Sequence, residues 1–332
     1  MTVSMSTADP NADSAADHGA DGTPATPDRR SPPRYGEGYQ GGLPWPRPTT
    51  PRPALKLRLS DFPQKEHLAG DGNWLYKIPF GEGHAVLKVY TGNRNPALHW
   101  KKTFGNLLLT GRTSHMPKAR CRTEIECVNL WEQHGFRCFG MYPEVVFEDL
   151  EEGTYMLYEY VPGEHFKHYF NDEQVPLEEK LQTWRNWLPE WHRRHKLAIE
   201  LRDPRLIHEN GDVKHVMCWQ GGYVNFDFEV CFRSQDLRDL VGREMLAYLR
   251  FLGKAFGPEM YDILMDETVK HYPDKALLME AWGHAMHNHN AFIRFFRMLD
   301  RTLKKKDNDK PYSKYSVAKD LKRRLDAAAL NV

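Results

Sequence analysis

Leu55, Leu57 and Leu59 alternate with Lys56 and Arg58, the two-residue period of a strand with one buried face. Two more strand-like runs, Trp74–Phe80 and His84–Tyr90, flank Gly81-Glu82-Gly83, and this spacing predicts a hairpin. From about Arg122 to His134 the apolar positions recur at helical spacing. Val128 and Trp131 share a face there, and Gly135 stands as a C-terminal stop. Strands are expected near Glu144–Phe147 and Tyr155–Tyr160. Beyond Pro162 the pattern turns helical, interrupted by short β runs at Val216–Cys218 and Tyr223–Phe228. Trp184, Trp187, Leu188 and Trp191 form a helical stripe that reads as core. A small β-rich part followed by a large helical part is an α+β arrangement.

The chain has 332 residues, enough for one large or two modest domains. Between Met1 and Gly42 there is no Leu, Ile, Phe or Trp to offset the entropy of ordering, so residues 1–53 are expected to be a disordered, Pro-rich tail. Pro44-Trp45-Pro46-Arg47-Pro48 should be extended polyproline II, serving as a linker or as a ligand for a partner. Lys plus Arg number 46 and Asp plus Glu 45, which gives no general pull toward nucleic acid. The five cysteines lack a C-x-x-C pair and read as reduced thiols. With no long apolar run and no signal-peptide core, a cytoplasmic protein is expected.

Four elements in one order carry the candidate chemistry. Ala85-Val86-Leu87-Lys88 is a strand ending in lysine, similar to the V-A-I-K element of kinases. Glu124, eleven residues before Gly135, is placed to pair with Lys88. Tyr158-Glu159-Tyr160-Val161-Pro162-Gly163 looks like a hinge between lobes, with backbone groups of Glu159 and Val161 offered to adenine. Val224-Asn225-Phe226-Asp227-Phe228-Glu229 is a strand running into an element similar to D-F-G, with Asp227 as the metal-binding carboxylate. Phosphoryl transfer needs these parts because it depends mainly on positioning and charge neutralisation. Gly70-Asp71-Gly72 is either a phosphate-covering loop or a plain hairpin turn, since Leu75 stands where a third glycine would.

From about Leu55 to Arg250 the chain resembles the lipopolysaccharide core kinases, the heptose and Kdo kinases, relatives of protein kinases and of aminoglycoside and choline kinases. The resemblance rests on Lys88, Glu124, the loop after His208, Asp227 and Arg238-Asp239-Leu240. It implies a bilobal protein-kinase-like fold, with an N-lobe over residues 54–160, a basic insertion over 91–123 and a helical C-lobe over 161–332. It also implies ATP and Mg2+ as cofactors and a sugar or glycolipid hydroxyl as acceptor. Asp239 is expected to brace the catalytic loop.

The loop departs from the family form H-x-D-x-x-x-x-N, which also occurs with His in the last place. In His208-Glu209-Asn210-Gly211-Asp212-Val213-Lys214-His215-Val216-Met217, one register puts Asn210 at the base position and His215 on the metal side. The other makes Asp212 the base and leaves Met217, a poor magnesium ligand, on the metal side. The twelve residues from His215 to Asp227 favour the first. An amide at Asn210 cannot take a proton, so either Asp212 supplies the carboxylate, or the amide only orients the hydroxyl, or the domain is a pseudokinase without turnover. Asp212 also reads as a turn residue, because Asn-Gly-Asp is turn chemistry.

No acidic residue occurs between Thr91 and Thr123, while Arg94, Lys101, Lys102, Arg112, Lys118, Arg120 and Arg122 do. This segment is expected either to face an anionic membrane surface or phosphorylated sugar, or to be a helix with a solvated basic face. Lys304-Lys305-Lys306 and Lys322-Arg323-Arg324 raise the same two options. His284, His287 and His289 lack ligand-spaced acidic partners for a metal.

Overall fold

The computed structural model describes residues 53–69, 72–90, 103–104, 111–286 and 310–330. The period-2 leucines become β1 (Leu55–Leu57), which pairs in parallel with β6 (Val145–Phe147). The main N-terminal sheet has the order β2 (Glu66–Ala69), β3 (Trp74–Phe80), β4 (Gly83–Val89), β7 (Tyr155–Glu159), all antiparallel. β4 is the buried centre of this sheet, with Ala85 and Leu87 fully covered. Its register sets Lys88 opposite Leu75 on one side and Met156 on the other. Leu75 is thus a strand residue, and no third glycine is called for there.

The helix expected from Arg122 begins earlier, as α1 (Pro117–Gln133). Pro117 opens it, its missing N–H being one the first turn would leave unpaired anyway. Gly135, at φ 74°, follows its end in the left-handed conformation that glycine adopts without a Cβ clash. α1 buries Glu124, Val128 and Trp131 together. Trp131 packs against Phe228 with ring centroids 4.5 Å apart and donates its Nε1–H to the Arg205 carbonyl at 2.8 Å. One aromatic side chain thereby ties the helix carrying Glu124 to the helical lobe.

A second sheet, β5 (Arg137–Cys138), β10 (Gly222–Asn225), β9 (Val216–Trp219), β8 (Glu164–His165), leads into the helical part. That part contains α2 (Phe166–Asn171), α3 (Leu177–Leu201), α4 (Leu237–His271, kinked at Gly257), α5 (Lys275–Met286) and α6 (Lys314–Leu330). The tryptophan stripe of α3 is its core. Trp187 stacks on Trp191 at 4.8 Å, and Trp184, Leu188 and Trp191 are at most 1% exposed. The α+β, bilobal class expected from the sequence is observed. All five cysteines are free. No helix among the described residues is long and apolar enough to cross a membrane. The expected tail falls outside the described residues except for Pro53.

Candidate functional site

Lys88 leaves the covered centre of the sheet, where its ammonium meets three carboxylates, one from α1 and two from the segment after β10. Its Nζ lies 2.7 Å from Glu124 Oε2, 3.4 Å from Asp227 Oδ1 and 3.8 Å from Glu229 Oε2. Burial alone would push the amine toward neutrality, but the charges of Glu124, Asp227 and Glu229 hold it well above the ordinary lysine range. Tyr90 Oη also donates to Glu124 Oε2 at 2.6 Å, so the carboxylate is gripped from two sides.

Asp227 has φ 73°, a left-handed backbone that is uncommon for a non-glycine residue. Such a conformation persists where surrounding contacts over-determine it. Its two oxygens face different partners. Oδ1 faces Lys88, while Oδ2 accepts from Asn210 Nδ2 at 3.0 Å and lies 3.3 Å from His215 Nε2. Burial would raise this carboxyl; the Lys88 charge, helped by the hydrogen bond from Asn210, reverses that and holds it well below the usual carboxylate range.

The loop alternatives occupy distinct places. Asn210 and His215 both touch Asp227. Asp212 is buried and turned to its own loop: it caps the short helical turn Val213–His215 by accepting the Lys214 N–H at 3.0 Å, and Lys214 Nζ stands 3.5 Å from its other oxygen. Met217 is a buried residue of β9 whose Cε packs under Gly163, where an added Cβ would come within 3.1 Å of it.

The loop itself is braced from below. His208 donates through Nε2 to the Asp227 carbonyl at 3.2 Å and accepts from Tyr248 Oη at Nδ1, 3.1 Å. Its backbone N–H goes to Glu244 Oε2 at 2.7 Å. Glu244 also receives Trp191 Nε1 and Arg194, all inside the core. The bracing expected of Asp239 thus comes from Glu244, seven residues after Leu237 opens α4. Asp239 Oδ1 lies instead 2.9 Å from His284 Nδ1; His287 and His289 fall outside the described residues. Glu244, Arg194 and Tyr248 were not legible as site residues, since a charged pair in an apolar helix stripe carries no local signature.

His195 and His208 are buried as neutral rings, with burial pushing each down to about 4. An unfolded chain would take up their protons below about pH 6.5, whereas the folded chain resists until about 4. Their contribution is therefore complete above pH 6.5 and is lost as pH falls toward 4. By pH 5 each ring should have removed roughly 2 kcal/mol of stability. Urea unfolding at pH 7 and pH 5 checks this, with a lower midpoint expected at pH 5; equal midpoints would contradict the neutral, buried assignment.

Over the site, Gly70 and Asp71 lie outside the described residues, but Gly72 and Asn73 are held. Arg120 of α1, 2% exposed, reaches the Gly72 carbonyl at 3.4 Å, the Asn73 side-chain oxygen and Glu229 Oε2 at 3.0 Å. Asn73 Nδ2 donates to the same Glu229 oxygen at 2.6 Å. Arg120 is thus an interior latch, not part of a solvated basic face.

Beside Asp227 opens a cavity of about 310 Å3 lined by Arg112, His115, Glu209, Asn210, Asp227, Glu229 and Val230. Arg112 pairs with Glu209 at 2.5 Å, and Thr113 and Arg233 knit the segment around Arg112 to the chain after Val230 through backbone bonds. At the hinge, β7 ends at Glu159, whose N–H donates to the Gly140 carbonyl, and Val161 is buried before β8 begins. Lys118 and Arg122 pair with Glu151 and Glu126, and Lys322, Arg323 and Arg324 with aspartates of α4 and α6. Arg94, Lys101, Lys102 and Lys304-Lys305-Lys306 lie outside the described residues.

No protein-family model matches the chain, and no curated protein matches it. Among solved structures it is similar to the pseudokinase DRIK1 (drought responsive inactive kinase 1) in a co-crystal with ENMD-2076, at 15% identity over 82% of this chain and 97% of that one, TM-score 0.36. It is also similar to the Rio2 kinase of Chaetomium thermophilum in its ADP/Mg2+-phosphoaspartate complex, at 13% identity over 80% and 71%, TM-score 0.36. The PknI kinase domain of Mycobacterium tuberculosis matches at 14% identity over 65% and 90%, TM-score 0.33. Likeness at this level says nothing about chemistry, and the functional reading rests on the side-chain geometry.

Proposed function

We propose that this chain is an ATP- and divalent-metal-dependent phosphotransferase acting on an alcohol, with a sugar or glycolipid hydroxyl as the acceptor class implied by its resemblance to the lipopolysaccharide core kinases. The observation that carries the reading is the placement of Lys88 Nζ between Glu124 at 2.7 Å and Asp227 at 3.4 Å, with Asn210 and His215 on the other Asp227 oxygen. Lysine, its glutamate, and a carboxylate for metal are the parts phosphoryl transfer requires.

Bound ATP would supply the phosphoryl group, and its metal would offset the charge on the phosphate oxygens. Lys88 then holds phosphate, with Glu124 holding Lys88. Asp227 and His215 hold the ion. The backbone of Glu159 and Val161 meets adenine, and Gly72 belongs to the loop over the phosphates. Asn210 borders the cavity beside Asp227 and orients the acceptor hydroxyl there, a role open to an amide because a loose transition state needs little early proton removal. Asp212 keeps the loop in shape through Lys214. The N-lobe (54–160, with its insertion over 91–123) and the C-lobe (161–332) would close on the nucleotide between them.

Calorimetric titration of ATP with and without divalent ion tests this on the wild type and on Asp227→Ala. Ion-dependent binding that disappears in the variant is expected; equal binding by both would remove Asp227 from the site. One observation favours a second reading. Asn210 offers no carboxylate, and its amide is already given to Asp227. A nucleotide-binding module without turnover would show phosphate transfer no faster in the wild type than in Asp227→Ala.

A further inference from the structure

His215 presents a nitrogen where magnesium sites present oxygen. Its Nδ1 lies 2.9 Å from the Asn210 carbonyl, which can only accept, so Nδ1 carries a proton and donates. That bond fixes the ring, and Nε2 faces Asp227 Oδ2 at 3.3 Å. A backbone carbonyl fixing the far nitrogen is also the usual outer-shell arrangement of a metal-ligating histidine.

The spacing suits a shared ion. Donors 3.3 Å apart, each about 2.1 Å from one cation, subtend roughly 100° there, near the cis angle of an octahedron. Among the described residues no group of three or more His, Cys, Asp or Glu side chains is arranged to hold a metal unaided, so the pair would complete its coordination with phosphate oxygens and water. Magnesium demands hard oxygen donors and gives up water reluctantly. First-row transition dications take imidazole and carboxylate together more readily.

We propose that the ion bound by Asp227 and His215 with the nucleotide is a first-row transition-metal dication, bound through His215 Nε2 in preference to magnesium. The inference rests on the nucleotide-and-metal reading of this site and goes beyond it in naming the metal class and the donor atom.

The test uses the full chain, Mn2+ and Mg2+ as probes and a non-hydrolysable ATP analogue, comparing the wild type with His215→Asn, which replaces the imidazole by an amide oxygen donor. The wild type should prefer Mn2+ to Mg2+ by at least about tenfold more than the free analogue does, and His215→Asn should lose that excess. Pulsed electron paramagnetic resonance of the wild-type Mn2+ complex should show coupling to an imidazole nitrogen. This readout needs no variant to fold. Wild-type Mn2+ binding without nitrogen coupling, or the same preference in both proteins, would overturn the metal assignment while normal Mg2+-dependent analogue binding left the phosphotransferase reading standing. No ion-dependent analogue binding at all would overturn both.

Discussion

Glu244→Gln is expected to cost roughly 3–5 kcal/mol of folding stability, the cost of leaving one member of a buried ion pair without its counter-charge. Glu244 has no exposed side-chain surface and Arg194 has 3%. Arg194 reaches both Glu244 oxygens and also donates to the Leu206 carbonyl at 2.6 Å. The glutamine retains the shape but leaves the guanidinium buried with neutral partners alone, the amide and the Leu206 carbonyl. His208 N–H and Trp191 Nε1 share the same two oxygens, so the defect spreads into the loop after His208 and the tryptophan stack. Urea unfolding followed by tryptophan fluorescence would read the loss directly. A companion double variant, Glu244→Leu with Arg194→Met, removes both charges and should recover most of it, because apolar replacement of a buried pair is often close to neutral. A cost below about 1 kcal/mol for the single change would show that water or a relaxed loop reaches Arg194.

The parts of this fold that were legible in the sequence are those whose burial repeats. β3, β4 and the tryptophan face of α3 bury side chains at regular intervals, and a regular interval is what a linear pattern can display. β2 could not be anticipated: all four of its residues are exposed, and it exists through backbone pairing with β3. The two-residue strands β5 and β8 are too short to carry a period. The early start of α1 escaped because Met116 is no side-chain cap and its first turn has no acid, leaving Pro117 as the only signal. In the site, Lys88 and Asp227 stand out because each sits in a recognisable local string, and Glu124 because of its place on the helix before Gly135. Arg120, Asn73, Arg112 and Glu244 act through partners 36 to 156 residues away, and nothing local marks them. The loop register is similar. Spacing from Asp227 favours Asn210 and His215, but only the folded chain places those two side chains against Asp227 and turns Asp212 to Lys214.

Lys88→Met should weaken nucleotide binding by about 10- to 100-fold, the worth of one charge-assisted contact to phosphate at roughly 1.5–3 kcal/mol. If the chain transfers phosphate, the rate should fall further, by about 10²–10³-fold, as when one preorganised donor is removed from a developing charge. The same change has a second, independent signature. Lys88 is the cation facing Glu124, Asp227 and Glu229 together, and Glu124 is only 4% exposed. Burial already pushes the Glu124 carboxyl upward, with Asp227 and Glu229 adding to it, and Lys88 is what opposes them. Without Lys88 the folded chain should keep a proton on Glu124 at a pH where the unfolded chain has released it. A raised carboxyl of this kind contributes stability at low pH and loses it as pH rises through the shifted value. The variant should therefore lose more stability relative to wild type as pH rises above the ordinary carboxylate range, opposite in direction to the histidine effect that weakens both proteins in acid. Parallel urea titrations across a pH series measure the difference. A gap that stays constant with pH would mean that Glu124 finds another cation once Lys88 is gone, and Arg120, one turn earlier on α1 and now joined to Glu229, is where to look.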